Sequence, residues 1–287
     1  MGNGSHIRIP ESVLRNFENE KQTLYQWKFE TGRITPGRAA SINTEVGYYS
    51  ETIELLLSQK VETPFGNVMK FFKGINKEEP QFSLQQTVKD DIRRFAHSLA
   101  VRSERMVELI STTSEHYRKL PRQKQHDVAV SLGLDEARNM GIFDDWEFTF
   151  SVNESSIPFV LPLCGSYSFS YGGDTMFSIP FAPNYAITFM PRSVAYAKYV
   201  VGETMRLLLV PSDVKAMQFN RIALDAERKD GNKGIIASTK DQFMTSLPQH
   251  IALHEHHTAE KHVYDRISIQ KGAAAFSDLH LRCVFRL

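Results

Sequence analysis

Trp146-Glu-Phe148-Thr-Phe150-Ser-Val152 alternates large apolar residues with polar ones. Successive side chains leave a strand on opposite faces. The spacing therefore predicts a strand with a buried aromatic face and with Glu147, Thr149 and Ser151 pointing the other way. Short apolar runs of the same kind follow: Ile157-Pro-Phe159-Val160-Leu161, Ser166-Tyr-Ser-Phe169, Thr175-Met-Phe177-Ser-Ile179 and Tyr185-Ala-Ile187-Thr-Phe189. Gly165, Gly172-Gly173 and Pro183-Asn184 punctuate them, which is the pattern of a mainly antiparallel sheet. Leu207 to Val210 reads as a further strand, and Pro211-Ser212-Asp213 opens a helix that carries Asn220. Residues 234 to 238, 250 to 255 and 281 to 286 are candidates to complete the sheet.

Upstream the period changes from two to between three and four. Ser50-Glu-Thr-Ile53 starts a helix that Pro64 is expected to interrupt, after which Phe65, Val68, Met69 and Phe72 continue it to Gly74. Leu84, Val88, Ile92, Phe95, Leu99, Met106 and Ile110 predict one long helix, with Ser83 and Gln86 as its capping box. Its other face carries Arg93, Arg94, Arg102 and Arg105, but Asp90 and Glu104 interrupt the basic stripe, so it reads as a solvated face. Another helix is expected between Pro121 and Met140.

The chain opens with His6-Ile-Arg-Ile-Pro10-Glu-Ser-Val-Leu14-Arg15-Asn-Phe17. Pro10 suits the first helical position, and Val13, Leu14 and Phe17 form an apolar stripe. Glu11 and Arg15 are then an i,i+4 pair on the opposite side, for which the plain reading is a solvated ion pair. Leu24-Tyr-Gln-Trp27-Lys-Phe29 and the turn at Thr31-Gly32 predict a hairpin over residues 22 to 42. The fold class expected is α+β: a helical middle region packed on a mainly antiparallel sheet, with the N-terminal helix and β-hairpin docking on it. No flexible linker separates residues 1–49, 50–143 and 144–287, so a single unit is expected.

Composition excludes several classes. With 41% hydrophobic and 23% charged residues, the 287-residue chain is globular material with no run long enough to span a bilayer. A net charge of +1 gives no overall attraction to nucleic acid or to an anionic membrane. Two cysteines, Cys164 and Cys283, are too few for a disulfide framework and suit a reducing cytoplasm. There is no Walker loop, no dinucleotide fingerprint and no Gly-x-Ser-x-Gly elbow, so no cofactor is expected. Cys164 lies in an apolar run and reads as a core residue. The run His250, His254, Glu255, His256, His257, His262 lacks the register of the zinc proteases. No metal is expected, and His254, His256 and His257 are the residues that would hold one.

The opening motif, the hairpin after it, the helical middle and the later Ile179-Pro-Phe181-Ala-Pro183-Asn184-x-Ala186-Ile187 together resemble the family called domain of unknown function 4238. In that family a His-x-x-Pro motif leads into Leu-Arg-x-Phe. The resemblance places it on His6, Pro10, Leu14, Arg15 and Phe17, with one more residue between His and Pro. It also implies an aspartate after the central Phe-hydrophobic pair, where this chain has Leu161-Pro162-Leu163-Cys164, and an asparagine in the region of Asn220. The family has no assigned reaction, so two functions stay open. One is a binding or regulatory module, with Arg15, Trp27, Tyr48 and Tyr49 anchoring a partner or bracing the hairpin. The other is an enzyme acting on a phosphate-containing substrate such as RNA or a nucleotide. Arg15 is its phosphate clamp, His6 its acid or base, and Asn220 an orienting amide.

Overall fold

The computed structural model describes residues 5–29, 31–74, 81–135, 145–171, 174–201, 203–229, 234–246 and 267–268. The alternating stretch forms β6 (Trp146–Asn153) of a six-stranded sheet. Beside it lies β10 (Tyr185–Pro191), then β9 (Asp174–Ala182), β8 (Tyr167–Tyr171) and the two-residue β15 (Ile267–Ser268), each pair antiparallel. On the other edge β13 (Leu208–Val210) runs parallel to β6. Register aligns Phe148 with Phe189 and Phe189 with Phe177, so one face is a continuous aromatic surface. Phe177 and Phe189 stack with centroids 4.5 Å apart.

Helices close that face. The helix α2 (Glu51–Leu57) passes through a π-turn (Ser58–Glu62) into α3 (Thr63–Lys73), so Pro64 does not interrupt the helical path as expected. Proline lacks an N–H and its ring crowds the carbonyl four residues back; the wider turn just before it accommodates both. Phe65 and Phe72 of α3 stack on Phe95 and on Phe150 of β6, which ties helices and sheet into one aromatic core. The expected long helix is two: α4 (Gln86–Val101) and α5 (Glu104–Thr113). Ser103 ends the first and caps the second, its Oγ accepting from Met106 N at 3.2 Å. Ser83 does not cap α4; it lies in β5 (Gln81–Ser83), and Gln85 occupies the cap position. After the short α6 (Glu115–Arg118), α7 (Arg122–Gly133) starts beyond Pro121 as expected. Its expected continuation from 136 to Met140 lies outside the described residues.

The polar face of β6 is buried as well. Glu147, Thr149 and Ser151 are each at most 3% exposed. Ser151 Oγ and Ser178 Oγ both hydrogen-bond Thr188 Oγ1, at 2.8 and 3.2 Å, so the hydroxyls satisfy one another across three strands. The helix α9 (Asp213–Lys229) packs on this side, its Ala216 and Phe219 clustering with Phe159, Ala186 and Val210. Between β10 and α9 the chain forms α8 (Arg192–Lys198) and two short strands, β11 (Val200–Val201) and β12 (Thr204–Arg206), the latter paired with β5.

The hairpin is present as β2 (Leu24–Lys28) and β3 (Arg33–Gly37), with Trp27 opposite Ile34. It extends through β14 (Ile235–Ala237) to β7 (Leu161–Pro162). Of the predicted 157–161 run only Leu161 is strand. At the chain's start β1 (Ser5–His6) pairs with β4 (Thr44–Glu45), and α1 (Glu11–Leu14) tightens into a 3-10 turn at Arg15–Phe17. Pro10 stands just outside the helix, with ψ 149°, one position earlier than expected. The last described helix is α10 (Lys240–Ser246). The expected strands at 250–255 and 281–286 lie outside the described residues. Ile9, Val13, Leu14, Phe65, Phe95, Phe150, Ile236 and Phe243 belong to one apolar cluster, so residues from all three stretches of the chain share a core.

Candidate binding site at the amino-terminal segment

The break between α4 and α5 has a consequence for chemistry. It leaves Arg102 at the end of α4 with its side chain turned beneath β1, only 1% exposed. Arg102 Nη2 donates to the His6 carbonyl at 2.6 Å, Nη1 to Glu62 Oε1 at 3.2 Å and Nε to the Tyr49 hydroxyl at 3.4 Å. The guanidinium also lies 5.5 Å from the centre of the Tyr49 ring. Tyr49 in turn donates to the Ile7 carbonyl at 2.8 Å, and Arg8 Nε to the Leu99 carbonyl at 2.8 Å. The first strand, with only two residues paired to β4, is thus held also by the side chains of Arg102 and Tyr49.

Around this buried cation stand three carboxylates and an imidazole. His6 Nε2 is 3.7 Å from Glu11 Oε2; the two side chains are 15% and 33% exposed, and Glu62 is 27% exposed. Burial pushes the His6 imidazole below its ordinary range, although Glu11 and Glu54 pull it up, so it is neutral at pH 7. Burial pushes the Glu62 carboxyl up, against the pull of Arg102. Two atoms of the cluster, His6 Nδ1 and Glu54 Oε1, are cut off from solvent and have no hydrogen-bond partner.

A second group braces the adjoining loop. Tyr48 donates to Glu104 Oε1 at 2.8 Å and lies over the His126 ring, centroids 4.0 Å apart. Arg122 pairs with the same carboxylate. Gln123 Nε2 donates to the Tyr49 carbonyl at 3.0 Å, and the Ser50 amide donates to Asp127 Oδ1 at 3.0 Å. Tyr48 and Tyr49 are 6% and 3% exposed, so both rings brace the fold.

The residues singled out in the sequence separate in space. Arg15 is 67% exposed and binds Glu11 Oε1 through Nε at 2.9 Å and Nη2 at 2.7 Å, the solvated i,i+4 pair that the spacing indicates. His6 and Arg15 therefore share one carboxylate. Asn220 is 1% exposed on α9, and its amide is engaged elsewhere: Oδ1 accepts from Val160 N at 2.9 Å and Nδ2 donates to the Pro158 carbonyl at 2.8 Å. Trp27 packs edge-on against Phe29 and Phe243. Cys164 is a core residue, 2% exposed. Its amide donates at 2.7 Å to Glu227, so a carboxylate from α9 serves the segment where the resemblance implies an aspartate. His254, His256 and His257 lie outside the described residues. Among the described residues no group of three or more His, Cys, Asp or Glu side chains is placed to hold a metal.

Arg102, expected on a solvated basic face, is instead buried because α4 ends at Val101 and turns it beneath β1; Glu62 and Glu54 were hidden in the sequence because their neighbours fit helical periods. The available signal was Ser103-Glu104, a cap residue followed by an acid, which marks a new helix start and sets Arg102 apart from the stripe. No protein-family model, curated protein or solved structure matches the chain.

Proposed function

We propose that this chain is a binding or regulatory module, and that its partner engages the cluster of His6, Glu11, Glu54 and Glu62 above Arg102. The observation that carries the reading is the pair of buried polar atoms without partners, His6 Nδ1 and Glu54 Oε1, at a half-open place. Native interiors leave few polar atoms unpaired, and those they leave concentrate at functional sites. We also propose that it works in the cytoplasm, which two cysteines and ordinary charge favour. Membership of the domain of unknown function 4238 family is likewise a proposal, supported by the opening motif and the later stretch Ile179-Pro-Phe181-Ala-Pro183-Asn184-x-Ala186-Ile187. Among the described residues no helix is long and apolar enough to cross a membrane.

The test is to compare His6→Ala in the purified chain and in its host. A binding role predicts an almost unchanged melting temperature with loss of the cellular phenotype. If the phenotype follows the melting temperature, and a stabilising substitution elsewhere restores it, the residue is a brace and the reading fails.

One observation favours the second reading, an enzyme acting on a phosphate-containing substrate. A carboxylate beside one imidazole nitrogen with the other nitrogen bare is the arrangement of an oriented general base. Against it, Asn220 is committed to Pro158 and Val160, and Arg15 to Glu11. Hydrolysis of a generic phosphodiester that disappears in His6→Ala would restore it.

A further inference from the structure

Resting on the binding reading, the chemistry of the same cluster points to the kind of ligand it takes. The Glu11 carboxylate lies 3.7 Å from His6 Nε2, so its charge favours the neutral tautomer that carries the proton there and leaves Nδ1 as a lone-pair acceptor. Glu54 Oε1, also without a partner, is a carboxylate acceptor whose charge reaches His6, Glu62 and Arg102. Both unpaired atoms accept, and neither can be satisfied by another acceptor.

The charges agree. Glu11, Glu54 and Glu62 meet one inward guanidinium, that of Arg102, whose nitrogens already donate to His6, Glu62 and Tyr49. Arg8 is committed through Nε to the Leu99 carbonyl, and Arg15 lies outside on Glu11. An anion arriving here meets three carboxylates, and the Arg102 nitrogens are already engaged. We propose that the site takes an organic cation bearing several N–H donors, a guanidinium or alkylammonium group, which donates to His6 Nδ1 and to Glu54.

The test uses the full chain labelled with 15N and L-argininamide as the probe, with inorganic phosphate in parallel, following the His6 imidazole nitrogens. The expected result is a saturable shift with L-argininamide and none with phosphate. Affinity should fall about tenfold or more in Glu54→Gln and in Glu62→Gln, the loss of one charge-assisted bond, and stay unchanged in Glu51→Gln on the exposed side of α2. Should Glu54→Gln fail to fold, Glu62→Gln decides. Phosphate moving His6 while L-argininamide does not would overturn the ligand class and keep the binding reading. Saturable binding indifferent to both substitutions would put the cation elsewhere and overturn the proposal. If neither probe moves His6 the proposal falls, and the binding reading stands or falls separately on His6→Ala.

Discussion

Two segments of this fold are held by buried polar side chains, and the two arrangements differ in kind. The start of the chain is held by a cation, Arg102, surrounded by half-exposed ionisable groups, with acceptors near it left unpaired. The segment from Pro158 to Cys164 is held by Asn220 and Glu227 of α9 and Gln242 of α10, each at most 4% exposed. Asn220 uses both ends of its amide, and Gln242 Nε2 donates to the carbonyls of Pro158 and Phe159, both at 3.1 Å. One arrangement is finished and closed; the other is open and incompletely satisfied. A brace gains by satisfying every atom, whereas a site gains by leaving some for a ligand.

Breaking the first arrangement should cost most. Arg102→Ala leaves Glu62 without its cation and the His6 carbonyl and Tyr49 hydroxyl without their donor. A loss of about 3–5 kcal/mol is expected from removing one partner of a buried charged network. Urea denaturation measures it, and hydrogen exchange should show the loss concentrated at residues 5 to 8. A uniform loss across the sheet would mean that Arg102 supports the core and not the first strand.

Acid separates the two arrangements next. His97 of α4 is buried, its Nε2 hydrogen-bonded to the Gly133 carbonyl at the end of α7, and burial pushes its pKa down to about 4. Above pH 6.5 the ring is neutral whether folded or not and contributes no pH dependence. As pH falls from 6.5 toward 4 the unfolded chain takes up a proton that the folded chain refuses, so stability declines, by up to roughly 3 kcal/mol. His97→Gln should remove that slope. The helices that present Arg102 would then loosen later on acidification, while the substitution itself makes no contact with α9 and its clamp.

Asn220→Ala strikes the closed arrangement. It leaves the Val160 amide without an acceptor and takes one donor from the Pro158 carbonyl, which keeps Gln242. About 1–3 kcal/mol is expected for the stranded buried amide, read as a shift in denaturation midpoint with an unchanged slope. No change in ligand binding at His6 should accompany it.

These two arrangements were not equally legible. The strands of the aromatic sheet follow from period-two spacing at Trp146–Val152 and Tyr185–Phe189, because a buried face demands it. The helix carrying Asn220 is announced by Pro211-Ser212-Asp213. Spacing could not tell that the Glu147–Ser151 face is buried too, since hydroxyls that satisfy one another across strands look like solvent-facing residues in one dimension. Nor could it separate α4 from α5, because Leu99 and Met106 are seven apart and stay in phase across the break. The same in-phase accident put Arg102 on a face that read as solvated, and so hid its contact with His6. Glu62 escaped notice because it closes a π-turn, whose wider spacing no regular helical wheel contains.

The smallest effect belongs to the residue that the opening motif made most prominent. Arg15 is largely in water, and its bonds to Glu11 are those of an exposed i,i+4 pair, in which salt and solvent cancel most of the attraction. Arg15→Ala should leave the melting temperature unchanged. It removes a cation from Glu11, however, and so makes the mouth of the His6 site more negative. If that site takes a cationic ligand, L-argininamide should bind Arg15→Ala slightly more tightly than the parent chain, with the gain fading as salt rises. A phosphate-binding role for Arg15 requires the opposite sign: weaker anion binding and no gain for the cation. The sign of this small change therefore discriminates between the two ligand chemistries, at a position where stability is not expected to interfere.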